Sequence, residues 1–471
     1  MSEAKSFVID TELSQIYFND ILKFIRQHYL LPHPETFGNV RRTKINSVYA
    51  LFFTVFDPKR TWRIDVEMKA GKPIQVEMIP KEGAPEIAMD EVREDLIINV
   101  QLFEENVRKY TLYFAWIKGE KIIPEEAPSA KKNASDKMFT SSMLLLYIIL
   151  FGVNIVLFIF FGIYGVLAIL SIQFAFVLLA GKIYLKMGKL RITEQNSDVH
   201  ILQYHLPADE HKEFYAKYGK DMVVQIKTEI YNKTLAVGKE PTCELGQEIL
   251  AKYGMKCTPE RMSAKVVNVY RIVKTAAEKF KLPTPKIVIS NSMMPNAAAT
   301  GPSPSRGVVL LTTGLLVQLE DDEILSVVGH ELGHLQGRDS LILFGLNSAE
   351  FLLRIFVFLP LFLFSPFLYL IIAMGVIYFI AKFFEAQADL QSAIKIGQPK
   401  VLAEALQKIG FRKLQYERIP TYKIQSWIRW DPHPPTYFRI DRLEKMKTPV
   451  EVKHPLIQSA KDVFNGFKSA F

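Results

Sequence analysis

Between Lys137 and Lys182 the chain runs for 44 residues without a charge, MFTSSMLLLYIILFGVNIVLFIFFGIYGVLAILSIQFAFVLLAG. That is about twice the ~20 residues that cross a bilayer as one helix, so the run predicts two spans, 138–181, joined by a tight turn at Gly162 to Gly165. Lys131, Lys132 and Lys137 precede it and Lys182, Lys186, Lys189 and Arg191 follow it. The bias of basic residues toward the cytoplasmic side then puts both flanks in the cytoplasm and the uncharged turn outside. The opening stretch MSEAKSFVIDTELSQ has neither the basic patch nor the apolar run of a signal peptide, so residues 1–137 are expected to stay on the side where they are made.

A second apolar stretch runs from Leu341 to Phe384. Glu350 and Arg354 within it are spaced to pair on one helix turn, and the 27 residues from Ile355 to Ala381 are uncharged. Such a run is long for one span and short for two, so a second hairpin, 346–384, is expected to break near Pro360 or Ser365-Pro366. A hairpin returns the chain to the side it left. The formal charge of +9 suits a protein resting on an anionic leaflet. No basic helix with interleaved aromatics is present, which argues against nucleic acid as a partner. Cys243 and Cys257 are too few for a disulfide scaffold or a cysteine zinc site and read as reduced thiols.

Outside the apolar runs, residues 1–137 read as an N-terminal cytoplasmic α+β domain and linker. Trp62, Ile64, Val66 and Met68 alternate with polar residues, Gly71 allows a turn, and Ile74, Val76 and Met78 resume the alternation: a hairpin with one buried face. Met89, Val92, Leu96, Val100, Phe103 and Val107 then recur at helical spacing, followed by a strand, TLYFAWI. Residues 182–260 read as a polar, mostly helical insert. Residues 261–345 give a helix, a strand, a second strand, a short helix and a motif helix; 385–449 return to the same domain, and 450–471 form a tail.

The motif is VVGHELGHLQGRDS, with His330 and His334 four residues apart and Glu331 beside the first. On a helix both imidazoles share one face and can meet one zinc ion, and the glutamate is placed to take a proton from water. Ile324, Val327, Val328 and Leu332 surround these polar groups on the same helix, where unsatisfied charge is costly. A catalytic zinc needs a third protein ligand. Of the other histidines, His28, His33, His200, His205, His211 and His454 stand in segments without apolar periodicity and read as surface residues. The best candidate is Glu385 in FFEAQADLQSA, where the second hairpin ends, with His433 as the alternative. Asp389, one turn on, could accept a hydrogen bond from a ligating histidine and orient it.

Five segments, PNAAATG at Pro295, GVVLLTTGLL at Gly307, HELGHLQGRD at His330, EAQAD at Glu385 and HPPTYFRI at His433, resemble in order and spacing the HtpX-like membrane zinc metalloproteases, the family that includes the type I CAAX prenyl protease. The resemblance spans roughly 138–181 and 262–445. It implies a multi-pass α-helical membrane protein with an α+β gluzincin-like zinc metallopeptidase domain beside the N-terminal α+β domain. It also implies one zinc per chain on His330, His334 and Glu385, with Glu331 as base. Four apolar segments look like HtpX, whereas the prenyl protease has seven. The family pattern NxxxSRxxE ahead of the glutamate is not kept: Ile377, Ala381 and Lys382 stand there.

The same resemblance puts His433 and Arg439 beside the zinc as transition-state stabilisers, against the plainer reading of a Pro-rich loop and an arginine paired with Asp441 or Glu444. A gluzincin-type site holds its peptide as an added strand, and Asn296, Ala297, Ala298 and Ala299 are the candidate edge. The function so implied is a cytoplasm-facing, plasma-membrane endopeptidase cleaving misfolded or damaged membrane proteins. C-terminal processing of lipidated CAAX-type peptides and a non-catalytic zinc-stabilised scaffold are the alternatives.

Overall fold

The computed structural model describes residues 4–117, 152–153, 156–187, 190–219, 221–256, 258–417 and 419–470. Residues 138–151 and 154–155 of the first apolar run, the linker 124–137 and Cys257 lie outside the described residues. The chain forms two compact units, residues 1–116 with 200–266, and residues 117–199 with 267–471.

The first unit holds the hairpin expected at Trp62 to Met78, now as two strands of a five-stranded sheet. Its strands are β1 (Lys5–Ile9), β2 (Phe37–Ile45), β3 (Val48–Phe56), β4 (Arg63–Lys69) and β5 (Ile74–Lys81), in the order β1-β5-β4-β3-β2. Every neighbouring pair is antiparallel. The buried face, with Ile64, Val66, Met68, Val76 and Met78, packs with Ile21, Leu22 and Ile25 of α1 (Phe18–Ile25) and with Met89, Val92, Leu96 and Val100 of α2 (Glu86–Arg108) in one core. These are the residues whose two periods, 2 and 3.6, are visible in the sequence.

Residues 200–266 belong to this unit, and they are mostly helical but not wholly so. Besides the helices Ala208–Tyr218, Asp221–Lys233 and Cys243–Ala251 they supply most of two strands, β8 (Asp198–His205) and β9 (Met262–Asn268), which join β6 (Thr111–Ile117) in the order β6-β8-β9. The sequence obscures β8 because its buried run, Ile201 to His205, mixes Gln203 and His205 with the apolar residues. His205 is a correction to the surface reading: it is buried, its Nδ1 3.1 Å from Thr111 Oγ1. Burial pulls its pKa down to about 4, with Lys72 adding to the shift.

The second unit contains a four-stranded sheet, β11 (Ala297–Thr300), β12 (Val308–Thr312), β10 (Lys286–Ser290) and β7 (Leu190–Ile192), in that order. β10 and β12 are parallel; the other two pairings are antiparallel. β12, VVLLT, is buried at every position, as a central strand should be. Thr312 ends it and caps the next helix, α8 (Thr313–Gln318), by accepting the Leu315 N–H at 3.3 Å.

The motif helix is α9 (Asp321–Gly337), opened by a capping box in which Glu320 and Glu323 satisfy each other's backbone N–H groups. After it come α10 (Asp339–Phe356), α11 (Leu359–Phe364) and α12 (Pro366–Ile396). The chain breaks at both expected places, before Pro360 and at Ser365. Glu350 and Arg354 pair at 3.1 Å. α12 does not stop at Phe384 but runs on to Ile396, so its apolar half and the acids at 385 and 389 form one rigid element. Among the described residues, Ile163–Lys186 within α3 (Ile163–Met187) and α12 itself are long and apolar enough to cross a membrane, with mean hydropathy 2.3 and 2.2. The turn ahead of α3 lies at Gly162, φ 54°. A Cβ at Gly165 would stand 2.5 Å from the Leu157 carbonyl oxygen, so the two arms close tightly there.

Candidate metal and catalytic site

Two glycines let the site form. A Cβ at Gly329 would fall 2.6 Å from the Ile396 side chain, and one at Gly333 would fall 3.0 Å from Ala388 Cα, so α9 packs tightly on α12 and meets its backbone at Ala388. The Ser392 hydroxyl donates to the Ser326 carbonyl at 2.8 Å across the same contact. This close approach carries Glu385 to the histidine face of α9.

His330 Nε2 and His334 Nε2 are 3.2 Å apart; His330 Nε2 lies 3.5 Å from Glu385 Oε2 and His334 Nε2 lies 3.5 Å from Glu385 Oε1. Donors about 2.0–2.1 Å from a tetrahedral zinc stand about 3.4 Å from one another, and one ligand atom from each of the three residues lies within 4.8 Å of the other two, close enough to share such an ion. Glu385 Oε2 is buried without a well-placed hydrogen-bond partner, which a cation would supply. The residues therefore fit zinc.

Around these three, each imidazole is held by a carboxylate. His330 Nδ1 stands 2.8 Å from Asp389 Oδ1, and His334 Nδ1 lies 2.7 Å from Asp339 Oδ2. Burial alone would lower the His330 pKa, but Asp389 and Glu385 outweigh it and lift it to about 10 in the metal-free chain. His334 is raised too, burial being outweighed by Glu385 and Asp339. Asp339 closes the motif HELGHLQGRD, and no periodicity in the sequence marks it as a partner of His334. It reaches back because Arg338 takes a left-handed conformation, φ 55°, and because Gly337 leaves room: a Cβ there would meet Asp339 Oδ1 at 2.4 Å.

Glu331 is buried beside the histidines, and its Oε2 accepts the Ala299 N–H at 2.7 Å. Ala299 lies on β11, at the edge of the sheet. The Thr312 N–H donates to the Asn296 carbonyl at 3.1 Å, and alternate residues of an antiparallel strand face its partner. Ala298 therefore turns its backbone groups toward β12, while Ala297 and Ala299 turn theirs outward. Of the four expected strand residues, Ala297 is the one with an outward N–H not taken by Glu331.

His433 and Arg439 are both near, in different ways. The His433 Nε2 is 3.6 Å from Glu385 Oε2, and Asp431 holds the same residue through its Nδ1 at 2.8 Å and its N–H at 3.0 Å. Burial would raise the Asp431 pKa, but His433 and Lys413 hold it well below the usual carboxylate range. Arg439 pairs with neither Asp441 nor Glu444. It is buried and grips Asp389 with two bonds, Nε to Oδ2 at 2.8 Å and Nη2 to Oδ1 at 2.7 Å. Arg439, Asp389 and His330 thus form one line, which makes the arginine a support of the site's geometry. Lys382, at the place where the family pattern has arginine, is buried and donates to the carbonyls of Arg429 and Asp431, tying the His433 loop to α12.

Residues 263–447 match Peptidase family M48. The chain is 47% identical over 94 residues to a Protease HtpX homolog of Thermodesulfovibrio yellowstonii, covering 20% of this chain and 32% of that one. It is 32% identical over 191 residues to the homolog of Moorella thermoacetica, covering 35% and 63%. To that of Paenarthrobacter aurescens it is 31% identical over 216 residues, covering 39% and 73%. The solved structure of S. mikatae Ste24p is similar at a TM-score of 0.33 and 18% identity, covering 67% of this chain and 66% of that one, a likeness too low to carry a fold assignment. The chain belongs to Peptidase family M48, with the HtpX homologs among its relatives. It spans about a third and about two thirds of the first two relatives named.

Proposed function

We propose that this protein is a multi-pass membrane zinc endopeptidase of gluzincin type, facing the cytoplasm of the plasma membrane and cleaving misfolded or damaged membrane proteins. The observation that carries the reading is the cluster of His330, His334 and Glu385, whose ligand atoms lie within 4.8 Å of one another, with Glu331 buried next to them and against an edge strand. His330, His334 and Glu385 would hold the ion, and Asp389 and Asp339 fix the two imidazoles in the orientation a metal requires. Zinc, when bound, supplies a Lewis acid that polarises the scissile carbonyl and lowers the pKa of a water molecule to about 7.

The remaining work falls to the chain's own groups. A substrate backbone adds to the outward edge of β11, where Ala297 offers an N–H and carbonyl and pairing is blind to side-chain identity. That tolerance suits unfolded substrates. The Glu331 carboxylate takes the proton of the attacking water and passes it to the leaving amine. His433, oriented by Asp431, donates to the carbonyl oxygen as negative charge develops on it. Apolar helices support membrane insertion, and lysines on both flanks of the first hairpin support the cytoplasmic orientation.

The test is hydrolysis of an unfolded membrane protein by the zinc-loaded chain in detergent. Cleavage that disappears in Glu331→Gln while zinc is retained supports the reading; equal cleavage by both proteins overturns it. Ala297→Pro, which removes the outward N–H, is expected to raise KM without releasing zinc.

A further inference from the structure

The surface behind His433 is built from an unusual mixture of side chains. On α13 (Pro399–Glu417), α14 (Pro420–Ile428) and the loop that follows, Tyr416, Ile419, Tyr422, Ile428 and Trp430 leave 38 to 60% of their surface open. Their neighbour Trp427 is buried in one cluster with Phe379 and Phe383 of α12 and Phe467 of the C-terminal helix Pro455–Ser469. The open side chains therefore stand beside the last turns of α12's apolar half. Lys382 fixes the level more closely, because it lies where that half ends and grips the Arg429 and Asp431 carbonyls. Before it, Phe367, Leu368, Ile372 and Val376 are exposed; Ala381 and Lys382 are buried.

At that level a cavity of about 270 Å³ opens between α13, α14 and the loop, with Arg412, Lys413, Tyr416, Tyr422, Arg429 and His433 on its wall. Its acids are already engaged. Asp431 is shared by His433 and Lys413, and Glu417 accepts the Tyr437 N–H at 3.0 Å. Arg429 has no ion pair among the described residues. Three basic side chains, Arg412, Lys413 and Arg429, thus stand against two acids, Asp431 and Glu417, on a wall ringed by aromatic and aliphatic side chains. Tyrosine and tryptophan favour the headgroup layer, and arginines there attract anionic lipid.

We propose that this cavity binds the headgroup of an anionic phospholipid, whose acyl chains lie along Ile428, Trp430 and the exposed face of α12. The inference rests on the membrane reading above. A peptide side chain is disfavoured because the rim is continuous with the apolar surface of a candidate spanning helix. Since the loop that lines the cavity also carries His433, headgroup binding links bilayer composition to the position of that side chain.

The test uses the full chain in lipid nanodiscs, reading the fluorescence of Trp430 as the difference between the parent and Trp430→Phe. Brominated-chain phosphatidylglycerol is expected to quench this signal several-fold more than brominated-chain phosphatidylcholine at equal content. The preference should vanish in Arg412→Gln/Arg429→Gln and persist in Lys461→Gln. Equal quenching of the parent by the two lipids overturns the proposal without recourse to any variant, and so does a preference that survives loss of both arginines. Quenching indifferent to headgroup but changed by a soluble acidic peptide would give the cavity to substrate instead. A chain that stays soluble without detergent and takes up neither lipid would overturn the membrane reading and this inference with it.

Discussion

Adding one methyl group at Gly333 should loosen the metal site while leaving the fold in place. A Cβ there would lie 3.0 Å from Ala388 Cα and 3.3 Å from Ala388 Cβ and carbonyl oxygen. Carbon atoms pack best at about 3.5–4.0 Å, so α9 and α12 must part by roughly 0.5–1 Å. Glu385 sits three residues before Ala388 on the same rigid helix and would move with it. Ligand distances tolerate about 0.2 Å, so the displacement exceeds what the site can absorb. Overpacking of this kind costs about 1–3 kcal/mol, offset by about 1 kcal/mol from alanine's better helix propensity. Gly333→Ala should therefore melt within a few degrees of the parent yet bind zinc at least about tenfold more weakly, equivalent to roughly 1.4 kcal/mol. Chelator competition measures the affinity, and Gly375→Ala, on α12 with open space around it, is the control. Parent-like zinc affinity in Gly333→Ala would refute the argument that backbone contact sets the ligand spacing.

Four further outcomes follow from named contacts. Glu331→Gln should keep zinc and lose about 10²–10⁴-fold in kcat, read by peptide hydrolysis beside metal analysis. Asp339→Asn should weaken zinc binding about 10–100-fold, by the same chelator titration, because His334 loses its orienting carboxylate. Asp389→Asn strands a buried guanidinium and should cost about 3–5 kcal/mol in denaturant melts, whereas Asp441→Asn, in an exposed pair with Lys445, should cost less than about 1 kcal/mol. His205 is held near pKa 4 against about 6.5 unfolded, so the unfolded chain binds more protons between these values. Stability should then fall as pH drops from about 6.5 to 4, by up to about 3 kcal/mol, and His205→Gln should remove that part of the pH dependence.

What could be read in the sequence was whatever depends on local period. The alternation from Trp62 to Met78, the helical spacing from Met89 to Val107 and the HExxH pair all fall within single elements. Glu385 was legible because chemistry demanded a third ligand and the hairpin returned one. The supporting residues were harder to see. Asp339 acts through a left-handed turn at Arg338, and Lys382 acts on backbone carbonyls 47 and 49 residues away, neither of which leaves a periodic trace. Arg439 was expected beside the zinc, and what the sequence does not show is the residue it grips there, Asp389, 50 residues back on another helix. His205 looked like a surface residue because Thr111, which it meets, is 94 positions distant. The joining of residues 200–266 with the N-terminal ones is likewise a matter of long-range contacts that no window of sequence contains.

The central claim is that His330, His334 and Glu385 hold a zinc ion which Glu331 serves but does not bind. Metal analysis of two purified variants of the full chain tests it most directly. One zinc per chain is expected in Glu331→Gln and little or none in Glu385→Ala; full zinc in Glu385→Ala would contradict this ligand set and move the third ligand to another residue, His433 first.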